Sequence, residues 1–371
     1  MRDDALRSIV RSKVDALRSI VLVRASPRSI VVGLVLLVAL GAVAPGALGA
    51  GASGAFGAVE QGTAAAQAVD GCTTVDEPGR YTLTSDVRNA TVDTCIRVTA
   101  DDVTLDGAGH AVDGVGAFGS AGVLVTAGSN VTVRNVTATD WDDGVRFTGI
   151  SGATVANTTP ARNRIGLSLV SLRNGTVVDN VARSNAVAGT FLVGASRNNV
   201  LRNTTVTDNA LVGLQLVEAR NNTLDGTVAR GNEFGIALFG ANGNDVVDTV
   251  ATGNSIAGVW LSGASDNRVR ESRVSNRFYG IYLADNARNN TIASNVARTN
   301  PVGVRLRSSH GNDVLRNRVF NSSDTAILLI SSDDNRVVGT RGSGNRRDVV
   351  VSPSSEGNTL SNNTLGPADG G

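Results

Sequence analysis

The chain has 371 residues, is 41% hydrophobic but only 4% aromatic, carries 43 Gly and has a net charge of +1. So few large side chains argue against an ordinary globular core, and small apolar residues with Gly suit stacked short strands. Seven basic and three acidic groups in the first 28 residues leave the remainder near −3, which gives no electrostatic case for nucleic-acid binding.

The Arg-rich start runs into the 15-residue apolar stretch Ile30–Ala44, then Pro45 and a Gly/Ala run to about Ala68. That order fits a secretory signal, with an A-x-A cleavage site at Ala66–Ala68. A spanning helix needs about 20 apolar residues, so the membrane enters only through an uncleaved N-terminal segment. Residues 1–68 are set aside as this targeting segment, and the expected location is secreted or at the cell surface. The only cysteines, Cys72 and Cys95, follow it. In an exported chain they are expected to pair, closing a loop worth ~3 kcal/mol and stapling an N-terminal cap and first coil over residues 69–121.

From Gly122 onward a sentence repeats. Gly recurs at 122, 144, 166, 189, 213, 235, 258, 280 and 303, with gaps of 22–24. Three places on stand Val125, Phe147, Leu169, Leu192, Leu216, Leu238, Leu261, Leu283 and Leu306. Nine places on, Asn appears at 198, 222, 244, 267, 289 and 312; eleven places on, Val133, Val155, Val177, Val200, Leu224 and Val246. A period of this length marks a solenoid. Alternation such as "GIYLAD" is strand periodicity, and no helical face persists. Each unit over residues 122–371 is therefore one coil of short strands, with equivalent positions about 4.8 Å apart. The Leu and Val columns are expected to face inward, Asn to form an amide ladder, and Gly to permit a sharp corner.

The pattern "GIxLxxxxxNxVxxNxxxxN" and the opening "DDVTLDGAGHAVDGVG" at 101–116 resemble the NosD-like and carbohydrate-binding/sugar-hydrolase group. The resemblance covers about residues 71–366. It implies an all-β, right-handed parallel β-helix of about 11–12 coils of 22–24 residues. It also implies polysaccharide lyases, glycoside hydrolases, epimerases or non-catalytic surface rods as functions, and accessory factors in metalloenzyme maturation. A single lysine and 33 Arg resemble secreted proteins of halophilic archaea. The group's copper label does not suit this chain, which has one Met, two Cys expected to pair and two separated His.

Chemistry on a solenoid sits on an outer face. The outward column two places after each Gly includes Phe191, Trp260, Tyr282 and Arg305, a candidate sugar-stacking strip for a polysaccharide or surface glycan. "TDWDDG" at 139–144 is the densest carboxylate group, so Asp140, Asp142 and Asp143 are the candidate catalytic residues of a glycosidase. An acidic turn between coils is the competing reading. No cofactor is called for, with Ca²⁺ the one ion these acids suit. His110, Asp106 and Asp113 read as first-coil turns. Asn89 and Asn321 are the better glycosylation candidates among ten N-x-[ST] sequons, most of which the Asn ladder generates automatically. The sequence leaves the oligomeric state open.

Overall fold

The computed structural model describes residues 65–367, none of them helical. They form a right-handed parallel β-helix of three sheets. Sheet I has 13 strands, from Thr73–Val75 to Val349–Val351. Sheet II has 14, from Gln67–Val69 to Thr359–Ser361. Sheet III has 13, from Val87–Ala90 to Thr364–Pro367. A typical coil contributes a six-residue strand to sheet I, such as Val212–Val217. Three-residue strands follow in sheets II and III, such as Thr223–Asp225 and Val228–Arg230.

The register confirms the inner columns. Phe147, Leu169, Leu192, Leu216, Leu238, Leu261, Leu283 and Leu306 stack in sequence and are wholly buried in one continuous interior cluster. Sheet II supplies the opposing column Val155, Val177, Leu201, Leu224 and Val246. The residue in that column is Leu201, not Val200, which faces partly outward beside Thr176 and Thr223. The reason is an extra residue in the 24-residue coil that starts at Gly189. The Asn ladder shifts by one residue in that coil and again in the coil that starts at Gly280: Asn199 and Asn290 occupy it, while Asn198 and Asn289 stand at exposed corners with φ of 57° and 53°.

The ladder uses both ends of the amide. Asn222 donates its backbone N–H to Asn244 Oδ1 at 2.9 Å, and its Nδ2 donates to the same oxygen at 3.0 Å and to the Ser196 carbonyl at 3.3 Å. The series runs Asn199, Asn222, Asn244, Asn267, Asn290, Asn312, Asn335, Asn358. A second series at the corner from sheet III to sheet I runs Asn163, Asn185, Asn209, Asn232, Asn254, Asn276, Asn300.

The recurring Gly has a different cause from the one expected. None from Gly122 to Gly303 in that column has positive φ; those corners belong to residues such as Asn203, Asp179 and Asp248, which tolerate the left-handed region. A Cβ on Gly166, Gly189, Gly213 or Gly235 would lie 2.6–2.7 Å from the carbonyl oxygen of the next Gly and 2.8–2.9 Å from an Asn Nδ2 of the second ladder. Close approach of backbone and amide is what excludes a side chain.

Two boundaries shift. About 13 coils form, rather than 11–12, because residues 69–121 are themselves rungs: Thr73–Val75 pairs with Thr94–Val98, and that strand with Ala121–Val125. The solenoid starts at Gln67, whose strand pairs with Gly79–Leu83, so the Ala66–Ala68 site falls within its first strand. The remainder of the expected targeting segment, 1–64, lies outside the described residues. Cys72 and Cys95 are disulfide-bonded with Cα atoms 4.3 Å apart, linking two successive rungs of sheet I.

Asn199→Ala is expected to cost about 2–4 kcal/mol, since Gly175 N–H and the Leu172 carbonyl lose a buried partner. Asn198→Gly is expected to be close to neutral. Urea unfolding of both variants reads the difference, and equal costs would place the ladder one residue earlier.

Candidate functional site

The outer face of sheet I holds the candidate strip. Phe191, Gln215, Ala237, Trp260, Tyr282 and Arg305 are register neighbours in one column. None belongs to the interior cluster. Each is nonetheless buried, with exposures of 1% for Phe191 and Trp260 and 4% for Tyr282 and Arg305. The rings face one another instead of solvent. Trp260 stacks on Phe234 (centroids 4.5 Å apart) and Tyr282 (6.2 Å), and meets the edge of Phe239 at 4.7 Å. Arg305 lies over Tyr279 and Tyr282 at 5.0 and 5.4 Å, and bonds the Tyr279 hydroxyl.

Sequence reasoning missed Phe234, Phe239 and Tyr279. The signal was available: Phe234 and Tyr279 immediately precede the Gly of their coils, and Phe239 lies two places beyond the outward position. In the same column, Trp260 Nε1 and Gln215 Nε2 are buried polar atoms that make no hydrogen bond. A buried donor left unpaired costs about 1–3 kcal/mol.

The three acids occupy the coil five sheet-I strands before Trp260, so they do not share a centre with the aromatic column. Asp140 sits at a left-handed corner (φ 58°) and accepts from Arg162 Nη2 at 2.9 Å. Asp142 is buried and pairs with Arg164, whose Nη2 lies 3.3 Å from Oδ2. Asp143 is buried and faces Arg146 at 3.6 Å. Each carboxylate is thus engaged by a guanidinium: Asp140 and Asp142 by one from the next coil, Asp143 by one three residues on in its own strand. Trp141 beside them lies in the interior cluster, its Nε1 donating to the Val112 carbonyl at 3.0 Å.

The first-coil residues are structural as expected. Asp106 accepts from Ala108 N–H, Asn135 Nδ2 and Arg134 Nε, all at 2.9 Å. Burial pushes its carboxyl up, but those donors and the Arg134 charge outweigh it and hold the group below the usual carboxylate value. Asp113 is likewise lowered: burial opposes, while the Thr139 hydroxyl, the Asn89 N–H and the Arg162 charge favour the ionised form. His110 Nδ1 faces Asp86 at 3.2 Å, and His310 Nδ1 faces Asp333 at 3.1 Å. Asn89 and Asn321 are exposed, left-handed corner residues.

Three parallel sheets, two buried amide ladders and chemistry confined to outer faces define the class: a right-handed parallel β-helix protein. A model of the family described as periplasmic copper-binding protein (NosD) matches residues 89–249 and 240–367, most of the chain. The protein belongs to the NosD family. Comparison with curated protein sequences finds no match. Among solved structures it is similar to the periplasmic alginate epimerase AlgG, at 15% identity over 77% of each chain with a TM-score of 0.58. It is also similar to the mannuronan C-5 epimerase AlgE4 A-module of Azotobacter vinelandii, at 17% identity over 80% of this chain and 87% of that one, TM-score 0.52.

The residues described do not fit copper. Both cysteines are tied in a disulfide, each histidine faces a single carboxylate, and no group of three or more His, Cys, Asp or Glu is placed to hold a metal ion among the described residues. The same holds for Ca²⁺ at Asp140, Asp142 and Asp143, whose oxygens face guanidinium groups.

Because the folded Asp106 carboxyl is more acidic than the unfolded one, its contribution is present at neutral pH and lost as pH falls through its folded value. Asp106→Asn is expected to lose about 1–2 kcal/mol at pH 7, with the gap to wild type closing below about pH 4. Urea titrations across that range check it; a gap that widens on acidification would reverse the sign.

Proposed function

We propose that the protein is exported and binds polysaccharide along the outer side of sheet I, as a rod that holds the polymer without cleaving it. The observation that carries this reading is the column itself. Three aromatic residues and an Arg stand in one register with two hydrogen-bond donors, Trp260 Nε1 and Gln215 Nε2, that have no partner. Flat apolar faces with a few unsatisfied donors suit pyranose rings and their hydroxyls. The similar solved structures are named for action on alginate and mannuronan, and the NosD family description is periplasmic. The form that binds in this reading is the exported one, cut at the Ala66–Ala68 signal. Cleavage there would remove only two exposed residues, Gln67 and Ala68, from the first strand. Cleavage of the polymer is not part of the reading, because Asp140, Asp142 and Asp143 are committed to Arg162, Arg164 and Arg146.

The two tryptophans separate the readouts. Trp141 is interior and hydrogen-bonded, while Trp260 sits in the column. Polysaccharide added to the processed chain is expected to change Trp260 emission, Trp260→Phe to abolish the response, and no reducing ends to appear. Silence against both acidic and neutral polysaccharides would leave a surface rod with no glycan ligand.

A further inference from the structure

Where sheet I turns towards sheet II, the residues Arg173, Arg197 and Arg220 are in direct parallel register on three successive coils. All three are exposed. Register neighbours in parallel strands lie about 4.8 Å apart, and like charges placed opposite one another are destabilising. Elsewhere on this rod arginines are neutralised by an acid one coil away. Arg134 meets Asp106 at 2.8 Å, Arg270 meets Asp245 at 2.9 Å and Arg336 meets Asp313 at 3.1 Å. No carboxylate lies within ion-pair distance of Arg173, Arg197 or Arg220 among the described residues. On sheet III the column Arg183, Thr207, Arg230, Thr252 alternates Arg with Thr, and Arg341 stands beside a single further Arg, Arg318. Only the corner stacks three together. Beside it runs a depression of about 700 Å³ floored by Gly194, Ala195, Ser196 and Gly240, with Glu218 at its side. The glycines keep it open, since both stand at left-handed corners where other coils place a side chain such as Ser171 or Asp285.

Resting on the polysaccharide reading above, we propose that the polymer is a polyuronate, laid along the rod axis with successive carboxylates on Arg173, Arg197 and Arg220. A guanidinium matches a carboxylate with two parallel hydrogen bonds, and a ladder of three matches a polymer that repeats its charge, not a single small anion.

The test measures binding of the processed chain to polymannuronate and to a neutral glucan, at low and high salt. Wild type is expected to prefer polymannuronate and to weaken as salt rises. Arg173→Gln/Arg197→Gln/Arg220→Gln should lose roughly tenfold or more in affinity. The charge-matched control Arg183→Gln/Arg230→Gln/Arg298→Gln should stay within about threefold, because a repulsion-free surface charge contributes little. All six residues are exposed, so the variants report binding and not collapse of the core. Equal affinity for the neutral glucan, equal losses in both triple variants, or a preference for duplex DNA over polymannuronate would overturn this inference and leave glycan binding in place where glucan binds. Binding to neither polysaccharide would overturn both.

Discussion

One interaction sets the geometry of this protein: the side-chain amide of an Asn in one coil accepting the backbone N–H of its counterpart in the coil before. Strand ladders satisfy the backbone only while the chain runs straight. At a corner the N–H groups turn inward, away from water, and a buried unpaired donor is costly. Asn222, Asn244 and Asn267 supply the missing acceptor and use their own Nδ2 on the carbonyls left behind. The second series, through Asn209 and Asn232, does the same at the corner into sheet I. The amides approach so closely that the residue beside them must be Gly, as at Gly189 and Gly213. Glycine, amide and the pitch of the rod are thus one constraint seen from three sides.

That constraint empties the interior of chemistry. Leu169, Leu192, Leu216 and Leu238 share one buried apolar cluster with Val177, Leu201, Leu224 and Val246, and every buried Asn of the ladders is spent on backbone. What remains variable is outside: the outer column of sheet I, the corners and the outer strands of sheets II and III. Even there much is structural. Asp106 with Arg134 and Asp142 with Arg164 tie one coil to the next, offsetting the tendency of a long stack to shear.

Much of the fold was legible because a solenoid converts a sequence offset into a contact. The Leu column was right at every coil. The Val and Asn columns failed only where a coil gained a residue, at Val200, Asn198 and Asn289, because constant-offset counting cannot see on which side of a turn the extra residue is absorbed. The role of Gly was misread since sequence distinguishes poorly between a left-handed corner and a close approach; both admit Gly. The acids show the opposite lesson. Asp140 and Arg162, like Asp142 and Arg164, are 22 residues apart, one full coil. The period already in hand pointed to those guanidinium partners, yet attention to residues 140–143 as a local cluster hid them. Burial of the Trp260 column was not legible at all, because Phe234, Phe239 and Tyr279 reach it from two different coils.

The same conversion of offset into contact limits what such a molecule can recognise. A globular enzyme gathers distant residues around one point. Here neighbours in space are coil equivalents, so a feature on the surface extends naturally into a line: rings at Trp260 and Tyr282, guanidinium groups at Arg173, Arg197 and Arg220. A line one rung wide and several rungs long is poorly shaped to enclose a metabolite and well shaped to lie beside a polymer. Its affinity accumulates by repetition, each rung adding a small increment while sharing the entropic cost of immobilising the chain. Recognition by repetition also explains why no single strong site is needed.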